Sequence, residues 1–294
     1  MRLQRALVSE PRDESVRSIG RHGYHRIAYR DWGDSAASVV FCVHGLSRNS
    51  HDFDPLARVL APRRRVICPD LAGRGRSDWL VDPTDYHLIQ YNLDMTVLAA
   101  RVGAENFDWI GTSLGGLIGM ALAAQGHSPL ARLVLNDAGP VISRASLERI
   151  AGYVGTKMQF ASLEDAEAYI RGISAPFGPH SDAQWRFLTE TWLRRNDDGS
   201  WRAHYDPRIA EPFRATLPEK DMELWPVYDA IRCPTLVLRG ETSDLLRRET
   251  AAEMARRGPQ ARVVEIAGVG HAPTLMHPDQ IARVREFLLE GGPA

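Results

Sequence analysis

The sequence predicts an α/β protein built on a mostly parallel, doubly wound sheet of eight strands, interrupted by a helical insertion. Three observations carry that expectation. Short, continuously apolar runs alternate with helical patterns, as strands buried on both faces of a parallel sheet do. The run Phe107-Asp108-Trp109-Ile110 meets Gly111-Thr112-Ser113-Leu114-Gly115 and turns into an Ala/Leu/Gly-rich helix, the strand–turn–helix context that gives a Gly-x-Ser-x-Gly pattern its weight. The alternation then lapses between residues 141 and 226 and resumes at Pro234.

Composition narrows the function classes. The chain has 294 residues, 44% hydrophobic and 25% charged, and a formal net charge of −1, which argues against nucleic acid or an anionic membrane as the main partner. Basic residues are nearly all arginine, with lysine only at 157 and 220, and short clusters such as Arg63-Arg64-Arg65 read as solvated loops. Residues 1–20 carry Arg2, Arg5, Glu10, Asp13 and Glu14 with no apolar core of a secretory signal, so the expected compartment is the cytoplasm. Cys42, Cys68 and Cys233 are an odd number placed in or beside strand-like runs and read as small hydrophobes, with neither a disulfide framework nor a metal site expected.

The elements follow in order. A weak strand is expected at Val16–Ile19, then a half-exposed one at Tyr24–Trp32 closed by Gly33-Asp34. Ser38–Val43 is a buried strand ending at His44-Gly45, and Phe53–Leu60 is helical. Arg65–Pro69 is a buried strand that empties into Asp70-Leu71-Ala72-Gly73-Arg74-Gly75-Arg76-Ser77-Asp78. No Gly-Lys-Ser/Thr follows it, so this loop is a structural turn near the site and not a phosphate loop. Tyr91–Val102 has helical spacing, stopped by Gly103, and Leu130–Asn136 is a strand closed by Asp137-Ala138-Gly139-Pro140. Residues 141–226 hold helical candidates at Ala145–Val154, Leu163–Ile170 and Ala183–Arg195, with Ser162 and Ser181 where N-caps are wanted. Trp185, Trp192, Trp201, Trp225, Phe160, Phe177 and Phe213 concentrate there, the composition of a lid over a pocket. The expected division is a core of residues 1–140 and 227–294 with a lid of residues 141–226. Strands at Pro234–Gly240 and Arg262–Ile266, with helices at Arg248–Arg257 and Pro278–Leu289, complete the chain.

Ser113 stands at the apex of the turn, where a strained backbone presents its hydroxyl and the Leu114 N–H at the helix start has no intrahelical partner. A serine needs a general base, and the base needs an acid. Of ten histidines only His271 follows the last strand in a glycine-bounded loop; His44 ends an earlier strand and is taken as shaping the first oxyanion loop. Asp244, just past the penultimate strand, is the favoured acid, with Asp137 and Glu241 as alternatives.

These residues make the chain resemble the α/β-hydrolase fold superfamily from about Tyr24 to Leu289. The matching motifs are His44-Gly45-Leu46-Ser47, Asp70–Ser77, Gly111–Gly116, Gly240–Leu245 and Gly268–Pro273. The resemblance implies Ser113 as nucleophile, Asp244 as acid, His271 as base and the N–H groups of Leu46 and Leu114 as the oxyanion hole. Asp244 lies four residues after Gly240, where three is commoner in the family, which keeps Glu241 and Asp137 open. The implied activity is hydrolysis of a small-molecule carboxylic ester or lactone through an acyl-serine, with no cofactor or metal required. C–C bond hydrolysis with the same triad, cofactor-free haloperoxidase or perhydrolase chemistry, and a non-catalytic ligand receptor are the alternatives. Arg48, Asn49, Arg186 and Arg194 are candidates to meet a substrate carboxylate, though each reads as a surface residue.

Overall fold

The computed structural model describes residues 10–289; residues 1–9, which hold Arg2 and Arg5 of the segment read for targeting, and residues 290–294 lie outside the described residues. Eight strands form one sheet: β1 (Arg12–Gly20), β2 (Gly23–Trp32), β3 (Val39–Val43), β4 (Arg65–Pro69), β5 (Phe107–Thr112), β6 (Leu130–Asn136), β7 (Thr235–Gly240) and β8 (Arg262–Ile266). Their spatial order is β1-β2-β4-β3-β5-β6-β7-β8. β1 pairs antiparallel with β2, and β2 with β4; every other pairing is parallel. The sheet expected from the sequence is therefore present.

Parallel strands need crossovers, and the helices supply them on both faces. The side-chain period of two splits the buried residues between two layers. Val40, Cys42, Ile110, Val134, Leu236 and Leu238 pack with α1 (Asp54–Leu60) and α10 (Pro278–Leu289), through Leu56, Leu60, Ile281, Val284 and Leu288. Phe41, Val43, Trp109, Leu133, Leu135 and Val237 face the other way, against α2 (Leu88–Arg101) and α3 (Leu114–Ala123). Cys42 and Cys68 are buried and Cys233 half-buried, all three unpaired, and burial pushes the Cys68 thiol well up from its ordinary value.

Between β6 and β7 the chain leaves the sheet. Three helices lie close to the expected positions: α4 (Arg144–Tyr153), α5 (Leu163–Ile173) and α6 (Asp182–Trp192). Ser162 caps α5 by accepting from the Asp165 N–H, and Ser181 caps α6 in a reciprocal capping box with Gln184. The third helix stops at Trp192, short of the expected Arg195, because Leu193–Arg195 pairs with Trp201–Ala203, which pairs in turn with Gln159–Phe160. Strands of two or three residues show no alternation to read. Two short helices, α7 (Ala210–Ala215) and α8 (Trp225–Ala230), lead back to β7, and α9 (Arg248–Met254) connects β7 to β8.

The elbow at Ser113 depends on a close approach of α3 to the sheet. A Cβ on Gly115 would collide with the Val43 carbonyl of β3, and one on Gly111 with the backbone of Gly115. Gly115→Ala must therefore lever α3 off the sheet, and we expect a loss of about 1–3 kcal/mol of stability, readable as a lowered urea midpoint.

Candidate active site

The carboxyl ends of parallel strands form one rim of the sheet, where ligands of open α/β folds bind. At the end of β5, Ser113 adopts φ 53°, ψ −114°, the strained turn expected of it. Its Oγ lies 3.0 Å from His271 Nε2. The other ring nitrogen, Nδ1, lies 2.7 Å from Asp137 Oδ2. Asp137 is fully buried at the end of β6, in the left-handed region at φ 51°. Its carboxylate also accepts the Gly240 N–H on Oδ1 at 3.0 Å and the Ser243 hydroxyl on Oδ2 at 2.5 Å.

The favoured candidate for the acid, Asp244, is not the carboxylate that meets the histidine. Asp244 makes no contact with His271: its side chain is half-exposed and takes a two-pronged contact from Arg149, Nε to Oδ2 at 2.8 Å and Nη2 to Oδ1 at 2.9 Å. The cause is the turn after β7. Ser243 occupies the inward position there and points its hydroxyl at Asp137, and Asp244 turns instead to Arg149 at the edge of the cavity. Glu241, the other alternative, accepts the Gly268 N–H at the surface. Of the three candidates, Asp137 is the one that meets the histidine.

The loop after β3 supplies the opposite wall. His44 is buried; its Nδ1 lies 2.7 Å from the Gly45 carbonyl, and its Nε2 accepts the Leu71 N–H at 3.0 Å. That pattern needs a neutral ring with the proton on Nδ1. Because a trans peptide sets N–H opposite C=O, tying back the Gly45 carbonyl turns the Leu46 N–H the other way. Burial pushes the His44 imidazole down to about 4, outweighing the nearby Asp70 carboxylate that favours the charged form. The unfolded chain, with an ordinary histidine near 6.5, takes up this proton first as pH falls. Stability contributed by neutral His44 is thus intact above pH 6.5 and lost toward pH 4, by up to roughly 3 kcal/mol. Unfolding free energies measured from pH 7 to 4 are expected to fall more steeply in the wild type than in His44→Asn, which carries no titrating ring.

A cavity of about 490 Å³ opens onto Ser113 and His271. Gly45, Leu46 and Ser47 form one side, and Ile150, Val154, Ile173, Phe177, Leu188 and Trp192 of the insertion form the apolar cover. The insertion is tied to the loop after β3 and to the loop that carries His271. Arg48 donates to the Leu188 carbonyl and Asn49 to the Thr191 carbonyl of α6, while the Gly270 N–H beside His271 donates to the Pro176 carbonyl at 2.6 Å. Arg48, a candidate to meet a substrate carboxylate that read as a surface residue, lines the cavity; it is 7% exposed, bound to Asp52 and stacked 4.7 Å from the Trp192 ring. Arg186 pairs with Glu164 and Glu167 outside the cavity, and Arg194 does not line it. Among the described residues no group of three or more His, Cys, Asp or Glu side chains could hold a metal ion, and no helix is long and apolar enough to cross a membrane.

Known proteins share this architecture. A 3-hydroxybutyrate-oligomer hydrolase from Cupriavidus necator is 47% identical over 289 residues, covering 96% of this chain and 99% of the relative. An α/β hydrolase structure from Novosphingobium aromaticivorans superposes with a TM-score of 0.86 at 41% identity, covering 95% of this chain and 98% of that one. A structure from Rickettsia typhi reaches a TM-score of 0.89 at 30% identity, over 96% and 100% of the two chains. The family model for the alpha/beta hydrolase fold matches residues 38–278, and the chain belongs to that family.

Proposed function

We propose that the protein is a serine hydrolase of carboxylic esters in which Ser113 is the nucleophile, His271 the general base and Asp137 the acid. The observation that carries this reading is the unbroken relay from Ser113 Oγ through both nitrogens of His271 to Asp137. Asp137 accepts from Nδ1–H and leaves Nε2 free to take the serine proton as Oγ attacks the ester carbonyl. The N–H groups of Leu46 and Leu114 stabilise the resulting oxyanion. His271 returns the proton to the departing alcohol, leaving an acyl-serine, then draws a proton from water as it attacks; collapse of the second intermediate frees the acid and restores Ser113. Residues 141–226 act as a lid that excludes bulk water from the 490 Å³ cavity.

The substrate class we favour is a short oligoester of a small hydroxy acid such as 3-hydroxybutyrate. Two observations support it: the relative at 47% identity spans nearly the whole of both chains, and a largely apolar pocket of this volume suits a few such units. The test is acid release from the dimer and trimer of 3-hydroxybutyrate, alongside p-nitrophenyl esters of graded chain length and simple lactones. Dimer or trimer turnover well above that of the lactones is expected. Turnover of p-nitrophenyl esters alone would overturn the substrate class, and activity that survives Ser113→Ala would overturn the nucleophile.

A further inference from the structure

Arg74 sits between the two glycines of the turn after β4 and is fully buried. Every hydrogen bond of its guanidinium goes to an uncharged oxygen: Nε to the Leu46 carbonyl at 2.8 Å, and Nη1 to the Ala72 carbonyl at 2.6 Å and the Tyr91 hydroxyl at 2.8 Å. Nη2 is buried without a partner. The rings of Tyr86 and Tyr91 lie 5.6 and 5.2 Å from its central carbon. The Asp206 carboxylate is engaged instead by the Tyr86 hydroxyl and Arg208. A buried cation without a counter-ion is costly, and aromatic faces and carbonyls offset only part of the cost. A methionine would fill similar volume without it, so packing does not account for the guanidinium.

Its one contact with the active-site wall does. Leu46 carries the N–H taken above as an oxyanion donor, and the carbonyls on either side of that N–H are each tied back, Gly45 by His44 and Leu46 by Arg74. We propose that Arg74 is a positioning residue for the oxyanion hole: by holding the Leu46 carbonyl, in the peptide that follows, it fixes the turn that presents the Leu46 N–H to the developing negative charge, and its own positive charge favours that charge. This rests on the Ser113 reading given above.

A trifluoromethyl ketone with a short alkyl chain tests it, because it adds to the serine as a tetrahedral oxyanion. In Arg74→Met, kcat and ketone affinity are expected to fall together by about 10–100-fold, somewhat less than when an oxyanion donor is removed outright, while KM stays within about threefold. Arg74→Lys, which keeps the cation and one donor, is expected to recover part of both losses; if the methionine variant does not fold, the lysine variant alone carries the test, as a smaller paired fall. Ketone affinity that is unchanged, or that weakens only as far as KM rises, overturns the proposal. A wild-type protein that forms no ketone adduct at all removes the Ser113 reading itself, a separate failure.

Discussion

Asp137→Asn is expected to lower kcat by about 10⁴-fold, the scale seen when the acid of a serine triad becomes an amide. The amide keeps the volume of the carboxylate and can still accept the Gly240 N–H, so the fold should survive. What it loses is the charge that stabilises the imidazolium, and the preference for a proton on Nδ1; with the proton on Nε2 the ring has no lone pair for Ser113. Asp244→Asn removes one side of an exposed ion pair with Arg149, worth about 0–1 kcal/mol, and kcat should stay within a few-fold of wild type. Steady-state kinetics on one p-nitrophenyl ester, with circular dichroism to confirm folding, separates the two. A large loss in Asp244→Asn with a small one in Asp137→Asn would reverse the assignment.

Ser113→Ala is expected to lower kcat by about 10⁶-fold. His271→Ala should cost about as much, and the double variant little more, because nucleophile and base act as one unit. Residual turnover would come from the cavity and the oxyanion donors acting on water. Alanine keeps the Cβ and with it the strained turn, and removes only a hydroxyl, so thermal stability should be nearly unchanged. Losses in the single variants that multiply in the double variant would mean that Ser113 and His271 act independently, against the relay seen at 3.0 and 2.7 Å.

The parts of the site that sequence reads well are those set by neighbours along the chain. Gly111, Ser113 and Gly115 specify the elbow because each glycine is demanded by backbone a few residues away, and His271 is marked by its place between the last strand and the terminal helix. The acid is different. Asp137 and Asp244 follow adjacent parallel strands, and either could reach a histidine on the next loop. The choice is made by the turn after β7, where Ser243 faces inward, a fact about side-chain direction that residue spacing does not contain. The turn-forming run Asp137-Ala138-Gly139-Pro140 is the signal that could have favoured it, since Asp tolerates at small cost the left-handed backbone found there. Arg48 and Arg74 were beyond reach for a related reason: an arginine reads as surface until its partners, Asp52 and Trp192 for one and the Leu46 carbonyl and Tyr91 for the other, are brought in from elsewhere.

Placing the carboxylate on β6 also changes what the neighbouring loop is free to do. The turn after β7 meets Asp137 through the Gly240 N–H and the Ser243 hydroxyl, which Leu245 and Leu246 hold in turn, while Asp244 and Arg149 line the cavity. On the reading proposed above, changes at Arg149 and Asp244 can reshape what enters without touching Ser113, His271 or Asp137, whereas Leu245 and Leu246 are buried and donate their N–H groups to Ser243. On the proposed reading, a library confined to Arg149, Tyr153 and Asp244 varies part of the cavity lining that lies outside the relay of Ser113, His271 and Asp137.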